Sequence, residues 1–255
     1  MASGETRVLR RGVIGLAFLT ALSGFAWEAS AQPSSLRERL QPRGPAFRRD
    51  VTPPIGRYVT EDGRAFVFDR STSRPLLKFE NSYEVWALQP QAAPRGDIIY
   101  KNDLGQPVLR ATRLGGLTLF SATQPGGSAA ALSGNGDPLR LPTLGPQALL
   151  EKLAQASARA SRAARRLIPF DADADPSSAA LVADAAMITA EAVVRISRRP
   201  DGRARLAQVK KVQLVQGNRA AATLNSDVMR ITVAPGQGLA GRPSSDRIAY
   251  AVGVR

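Results

Sequence analysis

The sequence predicts an α+β protein: an N-terminal antiparallel β-rich region, as a sandwich or small barrel of about seven short strands, followed by a two-helix plus β-hairpin region and a short C-terminal helix. Three observations lead there. Over residues 55–121, short β-branched and aromatic runs recur about every ten residues between Asn, Asp, Gly or Pro, the pattern of an all-β unit. Over 147–198, apolar residues recur at spacings of three and four, the period of a helix face. A Gly/Ser/Pro-rich stretch separates the two patterns.

The first segment reads as an address. Arg7, Arg10 and Arg11 precede an apolar run from Val13 to Ala26, and Ala29-Ser30-Ala31 places small residues at the two positions a signal peptidase reads. The run is too short to span a bilayer, which needs about 20 apolar residues in a helix. A signal peptide is therefore expected over 1–31, cleaved near Ala31, with a periplasmic or secreted mature chain that has no transmembrane segment. Residues 32–54, rich in Arg and Pro, offer little to bury and read as an extended or disordered linker.

The β-rich domain is expected over 55–123. Asp62-Gly63 between Arg57-Tyr58-Val59 and Ala65-Phe66-Val67-Phe68 is a hairpin signal, because glycine tolerates the positive φ of a tight turn. Further strands are expected at 76–79, 84–88, 98–101, 108–112 and 117–120. Residues 124–146, with Gly126-Gly127-Ser128 and Gly134-Asn135-Gly136, are expected to be a flexible connector.

The α+β region is expected over 147–255. Leu149, Leu153, Ala156, Ala160, Ala163 and Leu167 form one apolar stripe ended by Pro169; Leu181, Ala185, Ile188, Ala192 and Ile196 form a second, opening near Pro176-Ser177. Strands are expected at 209–215 and 228–233, and a last helix capped by Ser244 or Ser245 carries Ile248, Ala249 and Val252.

The block Gly56-Arg57-Tyr58 through Phe68-Asp69, the stretch Gly115-Gly116-Leu117, and above all Ala240-Gly241-Arg242-Pro243-Ser244-Ser245-Asp246-Arg247-Ile248 resemble an uncharacterised family of exported alphaproteobacterial proteins, described as a domain of unknown function. The resemblance covers most of the mature chain and implies an export signal and a similar length. It implies no activity, ligand or site residue.

The chain has no histidine and no cysteine. That removes Ser-His-Asp and Cys-His catalysis, thiolate redox chemistry, haem held by His or Cys, and the usual zinc and copper sites. No cofactor is expected, and the balance leans against an enzyme. Asp171-Ala172-Asp173-Ala174-Asp175 starts like a calcium loop, but Pro176 and Val182 stand where an EF-hand needs Gly and Glu. It reads as an acidic approach to a helix N-terminus, where negative charge is favoured. The carboxylates of the β-rich half, Glu61, Asp62, Asp69, Glu80, Glu84, Asp97 and Asp103, could in principle supply a glycosidase pair.

Charge is the remaining signal. Lys and Arg total 35 against 21 Asp and Glu, a formal net charge of +14, and thirty of the cations are arginine. Arg159, Arg162, Arg165 and Arg166 close the first helix, and Arg198 and Arg199 follow the second; these six are the candidate anion-binding surface. If the helices pack antiparallel, the two groups lie at opposite ends. No aromatics interleave with them, which counts against single-stranded nucleic acid. The expected function is a non-catalytic exported envelope protein that binds an anionic envelope polymer, lipid headgroups or a protein partner. The alternatives are a carboxylate-dependent glycan hydrolase in the β-rich half and a purely structural envelope protein.

Overall fold

A computed structural model describes residues 52–254. The expected signal peptide, its cleavage residues Ala29 and Ala31, and the linker up to residue 51 lie outside the described residues. The described residues fall within one compact unit, so the β-rich and α+β halves are parts of a single body.

Nine strands make the first sheet: β1 (Gly56–Thr60), β2 (Ala65–Asp69), β3 (Leu76–Phe79), β4 (Val85–Ala87), β5 (Gln89–Ala92), β6 (Ile98–Lys101), β7 (Pro107–Ala111), β8 (Leu117–Ser121) and β9 (Gln124–Gly134). Every pairing is antiparallel, in the order β4-β3-β2-β1-β9-β8-β7-β6-β5. The outer members of that order, β4 and β5, are separated only by the fully buried Leu88. One bent segment thus pairs with β3 by its first half and with β6 by its second, curling the sheet into a nearly closed barrel. Alternation along the strands sends one face inward (β1 reads buried, half-buried, buried). Tyr58 stacks on Phe66 at 5.5 Å and Phe68 meets Tyr100 edge-on at 5.2 Å, filling the interior with Leu77, Leu109 and Leu119.

Three of the barrel turns use one device. In Thr60-Glu61-Asp62-Gly63, Asn102-Asp103-Leu104-Gly105 and Thr112-Arg113-Leu114-Gly115, the first side chain accepts the backbone N–H four residues on, at 3.0, 2.9 and 2.9 Å. The closing glycine takes φ of +81°, +80° and +89° and donates its N–H to the first carbonyl. A side chain other than glycine's would be strained at that φ.

The connector expected over 124–146 is corrected in its first half: residues 124–134 are β9, the strand that joins β8 to β1. Its glycines and alanines hide a strand because they have low β propensity, yet the seam requires small residues. A Cβ on Gly127 would lie 2.4 Å from Thr118 Cγ2, and one on Gly136 would lie 2.9 Å from the Gly56 backbone.

The second half contains α1 (Pro146–Ala164), β10 (Phe170–Ala172), α2 (Ala179–Ser197), a single-turn α3 (Gly202–Leu206), β11 (Lys211–Gln216), β12 (Ala221–Asn225), β13 (Val228–Val233) and α4 (Ser245–Ala251). The sheet order is β10-β11-β13-β12, with β10, β11 and β13 parallel and β12 antiparallel to β13. The two strands expected from sequence, β11 and β13, therefore lie side by side in the same direction, and the hairpin is β12–β13. Residues of α1, α2, α4 and this sheet share one core, built on Ala156, Ala160, Val182, Ala186, Val193, Leu214 and Ile231.

Insertion of β10 between α1 and α2 decides the relative direction of the helices, which the sequence pattern leaves open. A strand between two helices carries the chain back along the layer, so the second helix starts where the first did. Leu144, just before α1, and Ala180, at the start of α2, line one cleft. Arg159 and Glu191, each about two-thirds of the way along its helix, pair with one another, and Arg166, past the end of α1, donates to the Leu206 carbonyl, past the end of α2, at 3.1 Å. The helices run in the same direction. Helix α1 ends before Pro169, at Arg165, which adopts the left-handed conformation with φ 55°. That turn throws Leu167 into solvent, 75% exposed, and puts Ile168 in the core instead.

Candidate functional site

The Ala240–Ile248 block is the seam between barrel and helices. Arg242, 5% exposed, pairs its guanidinium with Asp184 of α2 and donates to the Val85 carbonyl of β4 at 3.0 Å. Ser244 caps α4 by accepting the Arg247 N–H at 3.0 Å, while its own N–H and hydroxyl donate to Asp103 at 2.8 and 2.6 Å. Next to it, Ser245 donates its N–H and hydroxyl to Glu84 at 2.7 and 2.5 Å. Arg195 of α2 donates to the Ser245 hydroxyl at 2.6 Å and pairs with Asp246 at 2.5 Å. Burial pushes the Glu84 carboxyl above its ordinary value; the charge of Arg242 and the Ser245 bonds pull the other way. Ser245 is wholly buried, so its hydroxyl ties elements together and cannot meet a substrate.

Six of the seven carboxylates considered for glycan hydrolysis, all but the exposed Glu61, are spread among local tasks. Asp62 accepts from Thr60 and Arg64, Glu80 pairs with Arg57, and Asp97 pairs with Arg110. In each case a hydrogen bond to the charged form holds the acid below its ordinary value. Asp69 accepts the N–H groups of Ser71 and Leu139, both at 2.7 Å, and Asp103 and Glu84 hold the seam serines. In the 171–175 run, Asp171 pairs with Lys211 at 2.9 Å and Asp175 accepts from Gln216 at 3.0 Å. Among the described residues no group of three or more acids is gathered to hold a metal ion.

The six candidate arginines divide. Arg159 is committed to Glu191, and Arg166 is half-buried with its guanidinium on Leu206. Arg162, Arg165, Arg198 and Arg199 are exposed, and their side chains have no hydrogen-bond or ion-pair partner among the described residues. Because α1 and α2 run in the same direction, all four stand at one end of the helix pair. Arg203 of α3, exposed and likewise without a side-chain partner, follows them there. Cations at helix C-termini complement the helix dipole, which accounts for one charge per helix end more readily than for five together. Among the described residues that line it, a cleft of about 740 Å³ beside this end joins Arg199 to Arg195, Arg247 and Tyr250 with Asp246 as its one acid. Arg195 and Arg247 belong to α2 and α4 and meet only in the fold.

A second cleft of about 740 Å³ lies between the β3–β4 turn, residues 141–144 and the two helices. Phe79, Trp86 and the exposed Tyr83 form one wall and Met187 and Ile188 another, with Lys152, Arg159, Asp184 and Glu191 among its lining. Three of those four charges are already engaged by pairing between Arg159 and Glu191 and between Asp184 and Arg242. No helix among the described residues is long and apolar enough to cross a membrane.

No curated protein matches the chain, and no solved structure does. A family model, described as Domain of unknown function (DUF4908), matches residues 35–252, which takes in the barrel, the helices and the seam block. The chain belongs to the DUF4908 family.

Proposed function

We propose that this is an exported envelope protein without catalytic activity, which holds an anionic component of the envelope at the arginine-bearing end of α1 and α2. The observation that carries the reading is the shared direction of the two helices, which assembles Arg162, Arg165, Arg198 and Arg199 with no acid bonded to any of them. Guanidinium groups pair with carboxylate, phosphate and sulfate oxygens through two parallel N–H bonds, and several unpaired ones together suit a ligand with repeated oxyanions. Arg165 adds support. It occupies a left-handed position where glycine costs least, so an arginine is held there against a local preference. Six of the seven barrel acids, all but Glu61, support the non-catalytic part, since their partners are structural neighbours.

The test compares the full chain with two charge-matched variants on heparin and on phosphatidylglycerol vesicles, which separate a polymer from a lipid headgroup as the source of the anion. One variant changes Arg162, Arg165, Arg198 and Arg199 to Gln; the control changes the exposed Arg95, Arg113, Arg140 and Arg230. A basic side chain near an anionic surface contributes about 1 kcal/mol, so the first variant should weaken binding by about a hundredfold or more and the control far less. Raised salt should release the native chain. Equal weakening by both variants, or binding indifferent to salt, contradicts the reading.

A further inference from the structure

We propose that the seam holds a second binding site, for a sugar that bears a carboxylate or phosphate. It is a cleft of about 1000 Å³ between β4–β5 of the barrel and the 218–221 and 237–247 segments of the α+β half. The seam block supplies part of its wall, through Arg242, Ser244 and Arg247.

Charge accounting gives the ligand's sign. Among the described lining residues, Arg74, Arg219, Arg242 and Arg247 face a single carboxylate, Asp103. Both Asp103 oxygens are occupied by Ser244, and Arg242 is committed to Asp184 and the Val85 carbonyl. Arg74 spends one N–H on the Ala240 carbonyl at 3.3 Å. Arg219 and Arg247 are exposed, with no side-chain partner among the described residues, although Asp246, beside Arg247, is itself paired with Arg195. The cleft therefore keeps an uncompensated positive charge on forked donors that suit an oxyanion.

The remaining lining sets the rest of the ligand. The carboxamides of Gln89, Asn218 and Gln237 each combine a donor with an acceptor, the complement of a hydroxyl. Of these, only Gln237 spends a bond, donating to the Asn218 carbonyl at 3.2 Å. Trp86 of β4 is also among the lining and meets Phe79 edge-on at 6.2 Å. Beside the small aliphatic residues Val85, Ala87, Pro90, Ala220, Ala221 and Ala240, these carboxamides and guanidiniums make the wall more polar than the mainly apolar pockets that take an acyl chain. The volume is also far larger than a lone inorganic anion needs. A charged sugar matches all three features.

Trp86 also provides the readout. The chain has two tryptophans, Trp27 and Trp86, so a full chain carrying Trp27→Phe reports on the cleft by indole emission. Galacturonic acid trimer and glucose 1-phosphate serve as the carboxylate and phosphate probes, maltotriose as the neutral one, with calorimetry as a second measurement. At least one charged sugar should change the emission saturably and maltotriose should not. Arg219→Gln with Arg247→Gln should weaken that binding about tenfold or more, while the control variant at Arg95, Arg113, Arg140 and Arg230 leaves it unchanged. The proposal is overturned if neither charged sugar gives saturable emission or heat, if maltotriose binds equally, if inorganic phosphate alone binds as tightly, or if the double variant binds like the native chain.

Discussion

Glu84 is the sharpest test of the seam, because two substitutions there separate its packing from its charge. The residue is 5% exposed, and it accepts both bonds offered by Ser245, which is itself fully buried. Glu84→Ala leaves a buried backbone N–H and a buried hydroxyl without that acceptor. An unsatisfied buried group costs about 1–3 kcal/mol; with Arg195 still bonded to the hydroxyl, the total should be about 2–4 kcal/mol. For a chain of this size that is a fall in Tm of roughly 5–15 °C. Glu84→Gln keeps an acceptor oxygen and removes the buried charge, so it should cost much less.

The pH dependence gives the sign. Burial raises the Glu84 pKa above its ordinary 4.5, so the unfolded chain releases this proton first. The stability tied to the protonated acid is complete below 4.5 and is lost as pH rises through the folded value. Relative to the native chain, Glu84→Gln should therefore become more stable as pH is raised from about 4 to 8. Urea unfolding followed by circular dichroism across that range measures both effects. An Ala variant as stable as the native protein, or a Gln variant that loses ground as pH rises, would refute the reasoning.

Asp97 should behave in the opposite sense. The Arg110 hydrogen bond lowers its pKa, so its contribution is present above the ordinary 3.8 and lost as pH falls through the folded value; Asp97→Asn should be less stable at neutral pH and converge with the native chain in acid unfolding curves. Gly241→Ala places a Cβ 2.0 Å from the Ala234 carbonyl oxygen; thermal melts should show a loss of at least about 1–3 kcal/mol, since backbone must move to admit it. Arg165→Gly should stabilise the end of α1 by about 1 kcal/mol by removing a left-handed non-glycine residue, while heparin binding weakens. A gain in stability with undiminished binding would exclude Arg165 from the anion surface.

The seven strands expected from sequence are all present because each carries a short apolar run with at least one β-branched or aromatic residue between turn residues, as in Tyr58-Val59 and Phe66-Val67-Phe68. β5 was hidden because Gln89-Pro90-Gln91-Ala92 buries nothing, and β9 because its small residues answer to a crowded neighbour strand. β10 and β12 are short or polar and take their place from β11 and β13. Helix α1 was legible from its alanine stripe, but its end was not: Pro169 looked like the stop, whereas Arg165 turns the chain four residues earlier. Local pattern also left the direction of α2 relative to α1 open, since that depends on three residues of edge strand, 170–172, pairing with β11 some forty positions away. The candidate arginines were legible as a composition; their gathering at one end was not. Glu84 and Arg195 acquire their partners, Ser245 and Asp246, only across the seam.

The helix direction can be measured without reference to any ligand. The chain has no cysteine, so Arg162→Cys with Arg198→Cys places two spin labels cleanly on the exposed ends of α1 and α2. Dipolar spectroscopy should give a separation of roughly 10–25 Å with both ends together. Helices running in opposite directions would part the labels by about the length of a 19-residue helix, ~28 Å at 1.5 Å per residue, before the label arms are added. A single short distance is the predicted result; a distribution centred beyond about 35 Å would contradict the gathered arginine end and the function built on it.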